Sequence, residues 1–315
     1  MKINKCVSFF IVGVGRSGTS LLQSILSSHS KICMPPETGF VRSNILSWRR
    51  NREFTANEIV SANGKLERIV EGITDGQQQL FTNKLYFYYF LIERYKEVQN
   101  KQKIGDKDPR LVEFMKAALE LFPSAKFIHL VRDPRDVLLS KKKAEWSKDK
   151  PSWYHIFANY IQLKIGESQG QKLSKDKYLL LTYEKLLDEP EISMEKVCNF
   201  LGVKFEENML SFQEKAKELV SEDEKQWKKE TMGPLLKNNT GKWKGKLTDT
   251  EVALTELLCK QAFKIGGYKK SESYSKLSFV NKLRVLSLSF LLTILGAIYI
   301  PCRLWSQKLL VAWKY

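Results

Sequence analysis

The chain has 315 residues, 43% of them apolar, which argues against a disordered chain and allows one large α/β domain or two small ones. Three His and five scattered Cys (Cys6, Cys33, Cys198, Cys259, Cys302), with no C-x-x-C pair, argue against a zinc scaffold or a disulfide framework and fit a reducing compartment. The 52 Lys and Arg against 35 Asp and Glu leave a net charge of +17, suited to a phosphorylated or sulfated ligand, while the lack of an RNP motif, zinc finger or Arg-rich arm argues against nucleic acid.

From the amino terminus, Val7 to Val12 is an apolar run too short for a secretion signal. It leads directly into Gly13-Val14-Gly15-Arg16-Ser17-Gly18, so it reads as a buried strand with its turn, and the body of the protein is expected in the cytosol. Leu21, Leu22, Ile25 and Leu26 have helical spacing within Ser17 to Ser28. Thr55-x-x-Glu58 is a capping box opening a helix with Ile59, Leu66, Ile69 and Val70. A helix is expected over Gln77 to Val98, with its aromatic run Leu85 to Phe90 in the core.

Further strands are expected at Lys103 to Gly105, Ala125 to Val131 and Tyr178 to Leu181, each followed by a helix starting near Pro109, Pro134 and Pro190. Thr248-x-x-Glu251 caps a last helix through Leu254, Leu257, Leu258 and Phe263 to the Gly266-Gly267 stop. Strands alternating with helices predict an α/β fold: a P-loop-type parallel sheet flanked by helices, with a C-terminal apolar helical tail. With no repeat or low-complexity linker, the division is one domain over 1–270 and a tail over 271–315.

From Lys269 onward there are eight basic residues and one acid, a net +7. Val285 to Ile300 is sixteen residues without a charge, followed by Pro301 and an amphipathic Arg303 to Trp313. Sixteen residues fall short of the roughly 20 that span a bilayer comfortably. The tail is therefore expected to lie in or dip into the cytoplasmic face of a membrane, with a true span, or a helix pair packed on the domain or a partner, as alternatives.

The chemistry-bearing signal is Gly13-Val-Gly15-Arg16-Ser17-Gly18-Thr19-Ser20 between a strand and a helix. Glycines turn the backbone N–H groups inward and the helix amino terminus adds partial positive charge, which makes an anion cradle. It departs from G-x-x-x-x-G-K-[ST] because Thr19 stands at the Lys position and the basic residue comes earlier, as Arg16. A second cradle is Arg132-Asp133-Pro134, where a strand ends and a helix begins, with Ser140 six residues into that helix. Two such cradles describe a nucleotide with phosphates at both its 5′ and 3′ ends.

On these residues the chain resembles the sulfotransferases that use 3′-phosphoadenosine-5′-phosphosulfate (PAPS). The resemblance implies that Gly15, Arg16, Ser17, Gly18, Thr19 and Ser20 hold the 5′-phosphosulfate and that Arg132 and Ser140, eight residues apart, hold the 3′-phosphate. Thr182-Tyr183-Glu184-Lys185-Leu186 resembles the family segment whose Tyr lies by the adenine, and Asn239-Thr240-Gly241-Lys242-Trp243 the late loop that puts a Lys on phosphate. Pro35-Pro36-Glu37-Thr38 and Asp106-Lys107-Asp108-Pro109 are closer to the tyrosylprotein sulfotransferase and bacterial branch. They imply Glu37 as base and Lys107 beside the transferring group, with no catalytic His.

His129, within an apolar strand, and His29, at a helix end, read as structural. Lys141-Lys142-Lys143 reads as a solvated face or phosphate steering, and the run Glu222-Asp223-Glu224 as surface. The expected reaction is metal-free, in-line sulfuryl transfer from PAPS to a hydroxyl of a protein tyrosine, polysaccharide or glycolipid, with Glu37, Arg16 and Lys107 catalytic. A Mg²⁺-dependent P-loop kinase or nucleotide hydrolase, and a non-catalytic membrane-tethered nucleotide-binding module, stand as alternatives.

Overall fold

The run Phe9–Gly13 forms strand β1, fully buried, and its side chains alternate between two packed layers. Phe10 and Val12 join a cluster with Phe40, Tyr88, Phe122 and Phe127, and Phe9 and Ile11 join Leu22, Ile25, Ile128 and Leu130 on the opposite face. A strand apolar on both faces belongs in the middle of a parallel sheet covered by helices. The computed structural model describes residues 7–45, 53–62, 66, 69, 80–220, 232–236 and 239–312.

β1 pairs in parallel with β5 (Lys103–Lys107) on one side and β6 (Lys126–Val131) on the other. β2 (Ile32–Cys33) and β7 (Tyr178–Thr182) complete a five-stranded sheet in the order β2-β5-β1-β6-β7. All four pairings are parallel, so the carboxyl ends of the strands share one edge. In open α/β sheets ligands bind outside that edge, next to the strand where the winding reverses, which here is β1.

Helices begin where local chemistry starts them. Thr19–Ser27 follows the glycine turn, Pro134–Lys143 starts at an Asp133 cap and Pro190–Leu201 ends at Gly202 in the left-handed region. The Thr55–Glu58 box closes as expected, with both backbone-to-side-chain bonds, ahead of helix Ala56–Ala62. Leu66 and Ile69 are buried, and Val70 lies outside the described residues.

Several local expectations are corrected. The helix expected from Gln77 begins at Lys84, because Asn83 Oδ1 accepts the Leu85 N–H and Leu80–Phe81 (β4) instead pairs antiparallel with Phe54–Thr55 (β3). Residues 77–79 lie outside the described residues. After Pro109 the chain makes a 3₁₀ turn, Pro109–Glu113, before the helix Met115–Leu121. The last helix of the domain breaks at Cys259 into Asp249–Leu258 and Lys260–Gly266. A long helix, Ser152–Gly170, was not anticipated from sequence; its faces are too evenly mixed to carry a period.

The tail packs on the domain, as one alternative had it, but as a single helix and not a pair. Phe279–Ala312 is one helix that continues through Pro301, although proline forfeits a backbone hydrogen bond. It packs on the domain, with Val285 and Leu292 joining the cluster of Ile156, Tyr160 and Ile161. At its far end Arg303 pairs with Glu113 at 3.1 Å and Gln307 donates to the Glu113 carbonyl at 2.7 Å.

Candidate functional site

The turn after β1 passes through two left-handed residues, Arg16 (φ 79°) and Gly18 (φ 92°). Gly18 is needed twice over: a Cβ there would sit 2.3 Å from the Tyr183 ring, so only glycine lets the turn lie against that ring. Ser17 N–H closes the turn onto the Val14 carbonyl at 3.1 Å. No side chain caps the helix Thr19–Ser27, whose N-cap is Gly18. First-turn N–H groups left without a side-chain cap are suited to an anion.

Arg16 ties this turn to the β6 side. Its Nε donates to Ser140 Oγ at 3.0 Å, and its carbonyl accepts from Arg132 Nη1 at 3.4 Å. The Arg132 guanidinium lies over the Tyr183 ring, 4.2 Å from its centroid, and Nη2 donates to the Asn239 carbonyl at 2.9 Å. Arg132 Nε is buried with no hydrogen-bond partner among the described residues. A guanidinium is expensive to bury with an unused donor, so that nitrogen marks a place for an acceptor group.

Asn239 also donates to the Tyr183 hydroxyl at 2.9 Å. Next along the chain, the N–H groups of Gly241 and Trp243 both donate to Asp136, at 2.7 and 2.9 Å, which ties the backbone on either side of Lys242 to the helix Pro134–Lys143. Burial raises the Asp136 carboxyl above its ordinary range, against the pull of Arg132. Arg135 braces the same loop: it is paired with Asp133 and Glu256 at 2.7 Å each and stacked on Trp243 at 4.1 Å.

On the other flank, Lys107 ends β5. Its ammonium, only 1% exposed, donates to Glu37 and to Ser20 Oγ at 3.3 Å. Glu37 keeps 26% of its side chain exposed, so it faces solvent from the lip of the site. Behind Lys107, Asp106 accepts the Tyr88 hydroxyl at 2.6 Å and the Lys107 N–H at 2.7 Å. Burial pushes the Asp106 carboxyl up to about 6 despite the Tyr88 bond. Asp108 clamps Arg42 through Nε at 3.0 Å, and burial raises its pKa, Arg42 opposing the rise.

The structure therefore gathers the sequence-derived residues in one line along the sheet edge: Glu37 and Lys107 beside β5, the Gly15–Ser20 turn after β1, and Arg132 with Ser140 after β6. Tyr183 packs against Gly18 and Arg132, and Lys242 lies in the loop whose backbone is held by Asp136. His129 is apart from this line. It is buried against Tyr178, and burial pushes its imidazole down to about 4. His29 bonds the Lys204 carbonyl at 2.8 Å and lies 3.6 Å from Glu206, neither of them a residue of this line. Burial pushes the Cys33 and Cys259 thiols up to about 12, out of nucleophilic range.

Sequence reasoning gave no part to Asp136, Arg135 or Arg42, named Asn239 only as a member of the late loop and read Tyr88 only as core; all five brace the residues of this line. It also read Lys141 as part of a solvated or steering run. Lys141 is instead buried next to Ser140, and its ammonium donates to Asn159 Oδ1 at 2.5 Å. Burial pushes it down to about 7. An unfolded lysine titrates near 10.4, so between about pH 7 and 10 the unfolded chain holds the extra proton and stability rises with pH. Lys141→Met should abolish that rise and be more stable near neutral pH by about 2 to 4 kcal/mol, allowing for the lost Asn159 bond, in denaturant melts across the range.

Residues 8–207 match the model of a family described as "Sulfotransferase family". The protein-tyrosine sulfotransferase of Drosophila melanogaster is 27% identical over 209 residues, 65% of this chain and 40% of the relative. Protein-tyrosine sulfotransferase 2 of Gallus gallus is 26% identical over 65% of this chain and 53% of its own length. The chain thus spans about half the length, or less, of these relatives. Among solved structures, the sulfotransferase domain of the Synechococcus PCC 7002 olefin synthase superimposes with TM-score 0.63 at 20% identity, covering 84% of this chain and 96% of that one. The sulfotransferase domain of the curacin biosynthetic pathway does so with 0.61 at 18%, covering 84% and 99%. These two share the fold.

Proposed function

This chain belongs to the sulfotransferase family, and from that premise we propose that it moves a sulfuryl group from PAPS to a hydroxyl of its acceptor by in-line displacement. The observation that carries the reading is the order along the sheet edge. A base and a cation stand at β5, an anion turn at β1, and an arginine with a spare buried donor at β6. A donor with a reacting 5′ end and a 3′-phosphate needs its contacts in that order.

In this reading the Gly15–Ser20 turn, with Arg16, Ser17, Gly18, Thr19 and Ser20, holds the 5′-phosphosulfate. Arg132 and Ser140 hold the 3′-phosphate, Tyr183 borders the adenine and Lys242 closes the site. The acceptor oxygen bonds to sulfur while the bond from sulfur to the bridging oxygen of the 5′-phosphate breaks. The hydroxyl proton passes to Glu37, and adenosine 3′,5′-bisphosphate leaves. Lys107 and Arg16 offset charge on the sulfuryl and leaving oxygens, so the cations come from side chains and no metal is required. The names of the similar relatives favour a protein tyrosine as acceptor; a polysaccharide or glycolipid hydroxyl would meet the same base.

Titration calorimetry in EDTA tests the donor site. Adenosine 3′,5′-bisphosphate should bind and ATP should not, and binding of ATP alone would turn the reading toward a kinase. Glu37→Gln should keep the bisphosphate affinity and lose about 10² or more in turnover, as general-base removal does; full activity would take Glu37 out of the reaction.

Arg132→Ala should weaken the bisphosphate at least about tenfold relative to adenosine 5′-monophosphate, as loss of a charge-assisted bond does. Ser140→Ala should act in the same direction with a smaller loss. An unchanged preference in both variants would sink the 3′-phosphate assignment.

A further inference from the structure

The helix Phe279–Ala312 has two faces of different fate. One is fastened lengthwise to the domain: Val285 and Leu292 are buried, a Cβ on Gly296 would lie 2.5 Å from the Tyr160 ring, and Arg303 and Gln307 grip Glu113. From Val285 to Gln307 that fastening runs about 33 Å at 1.5 Å per residue. The opposite face carries Phe279, Leu283, Phe290, Ile294, Ile298 and Trp305, all at least 42% exposed, and no charged residue lies between them on that arc. Within Phe279–Gln307 the most apolar 18-residue window has a mean hydropathy of 2.1 and is only 17% buried.

We infer that this helix is a monotopic seat: it stays docked on the domain and lays its outward apolar face into one leaflet of an anionic membrane. A continuous exposed apolar stripe of this length marks an interaction surface and not ordinary surface scatter. Spanning is incompatible with the fastening, because the clasped length is itself as long as the hydrocarbon core and the domain would have to enter the bilayer with it.

Charge selects lipid over a second copy of the chain. Lys276 and Arg284 are exposed at the amino-terminal end of the stripe, and the segment from Lys269 carries a net +7. Two copies of a +17 chain would bring like charges together there, whereas anionic headgroups neutralise them. Trp305 lies at the other end, a side chain suited to the headgroup level.

Sedimentation of the full chain with vesicles of phosphatidylcholine, with and without phosphatidylglycerol, tests the seat. Binding should require the anionic lipid and fall at least about tenfold in Phe290→Glu/Ile294→Glu. Both positions are solvent-exposed, so the variant should melt at the wild-type temperature. In a Cys302→Ser background, Ser278→Cys and Ser306→Cys added to intact vesicles should both react with an impermeant maleimide, since both helix ends stay on one side. Protection of one end would mean a span and overturn the inference. So would vesicle binding that the double Glu variant leaves intact, and so would a dimer, dissolved by that variant, in a chain that ignores vesicles.

Discussion

Lys107→Ala is expected to lower turnover by about 10² to 10³, the loss that follows removal of one preorganised charge at a reacting centre. The ammonium is 1% exposed and donates to both Glu37 and Ser20, so it joins Glu37 to the first helical turn after the glycine loop. Without it, the Glu37 carboxylate loses the partner that fixes its position, and the transferring group loses a cation that water cannot replace in a buried pocket. The affinity for adenosine 3′,5′-bisphosphate should change far less than turnover, because Arg132 and Ser140 are untouched. Pre-steady-state rates at saturating donor, set beside calorimetry of the bisphosphate, separate the two. A fall in affinity that matched the fall in rate would make Lys107 a binding residue and not a catalytic one.

The largest effect on stability is expected from Arg135→Ala. This guanidinium is 4% exposed, bonds Asp133 through Nε and Nη2, bonds Glu256 through Nη1, and lies between Trp243 and Phe263 at 4.1 and 4.8 Å. Deleting it strands two buried carboxylates, and breaking a buried pair from one side typically costs about 3 to 5 kcal/mol. At about 2 to 4 °C per kcal/mol for a chain approaching this size, a calorimetric midpoint should fall by roughly 10 °C. Arg135→Lys keeps the charge but loses the planar fork and the stack on Trp243, so it should recover only part of the loss. Combining Arg135→Ala with Asp133→Asn and Glu256→Gln should restore stability, since it removes the stranded charges. A triple variant no better than the single would mean that the stacking, and not the charges, carries the term. Arg135 also braces the loop that carries Lys242, so the single variant should bind the bisphosphate more weakly than wild type.

Legibility in the sequence followed the range of the interactions. The Gly13–Ser20 turn was readable because its chemistry is contained in eight consecutive residues, and the capping boxes at Thr55 and Thr248 because each spans four. The Arg132–Ser140 spacing was readable for the same reason: both are placed by one strand and the helix that follows it. Asn239 and Asp136 were not, because their partners lie 56 to 107 residues away and nothing near them in the chain announces those bonds. Lys141 looked like a solvated charge within a basic run, and it is buried with its ammonium on Asn159 of the long helix Ser152–Gly170, whose mixed faces hid that helix from a periodicity reading.

Neighbouring residues dictate the local conformations: buried strands from apolar runs, helix starts from Pro and Asp caps, and a glycine turn lined with hydroxyls. These depend on dihedral preferences and on hydrogen bonds between near neighbours. Tertiary structure alone decided which of those pieces meet. Arg16 reaches Ser140 across 124 positions and Lys107 reaches Glu37 across 70, because β5, β1 and β6 pair side by side and bring their carboxyl ends to one edge. It also decided that the tail is one helix running through Pro301. Packing along Val285, Leu292, Gly296 and Glu113 outweighs the one backbone bond that a proline gives up, and a sum over many distant contacts cannot be read from neighbours in the chain.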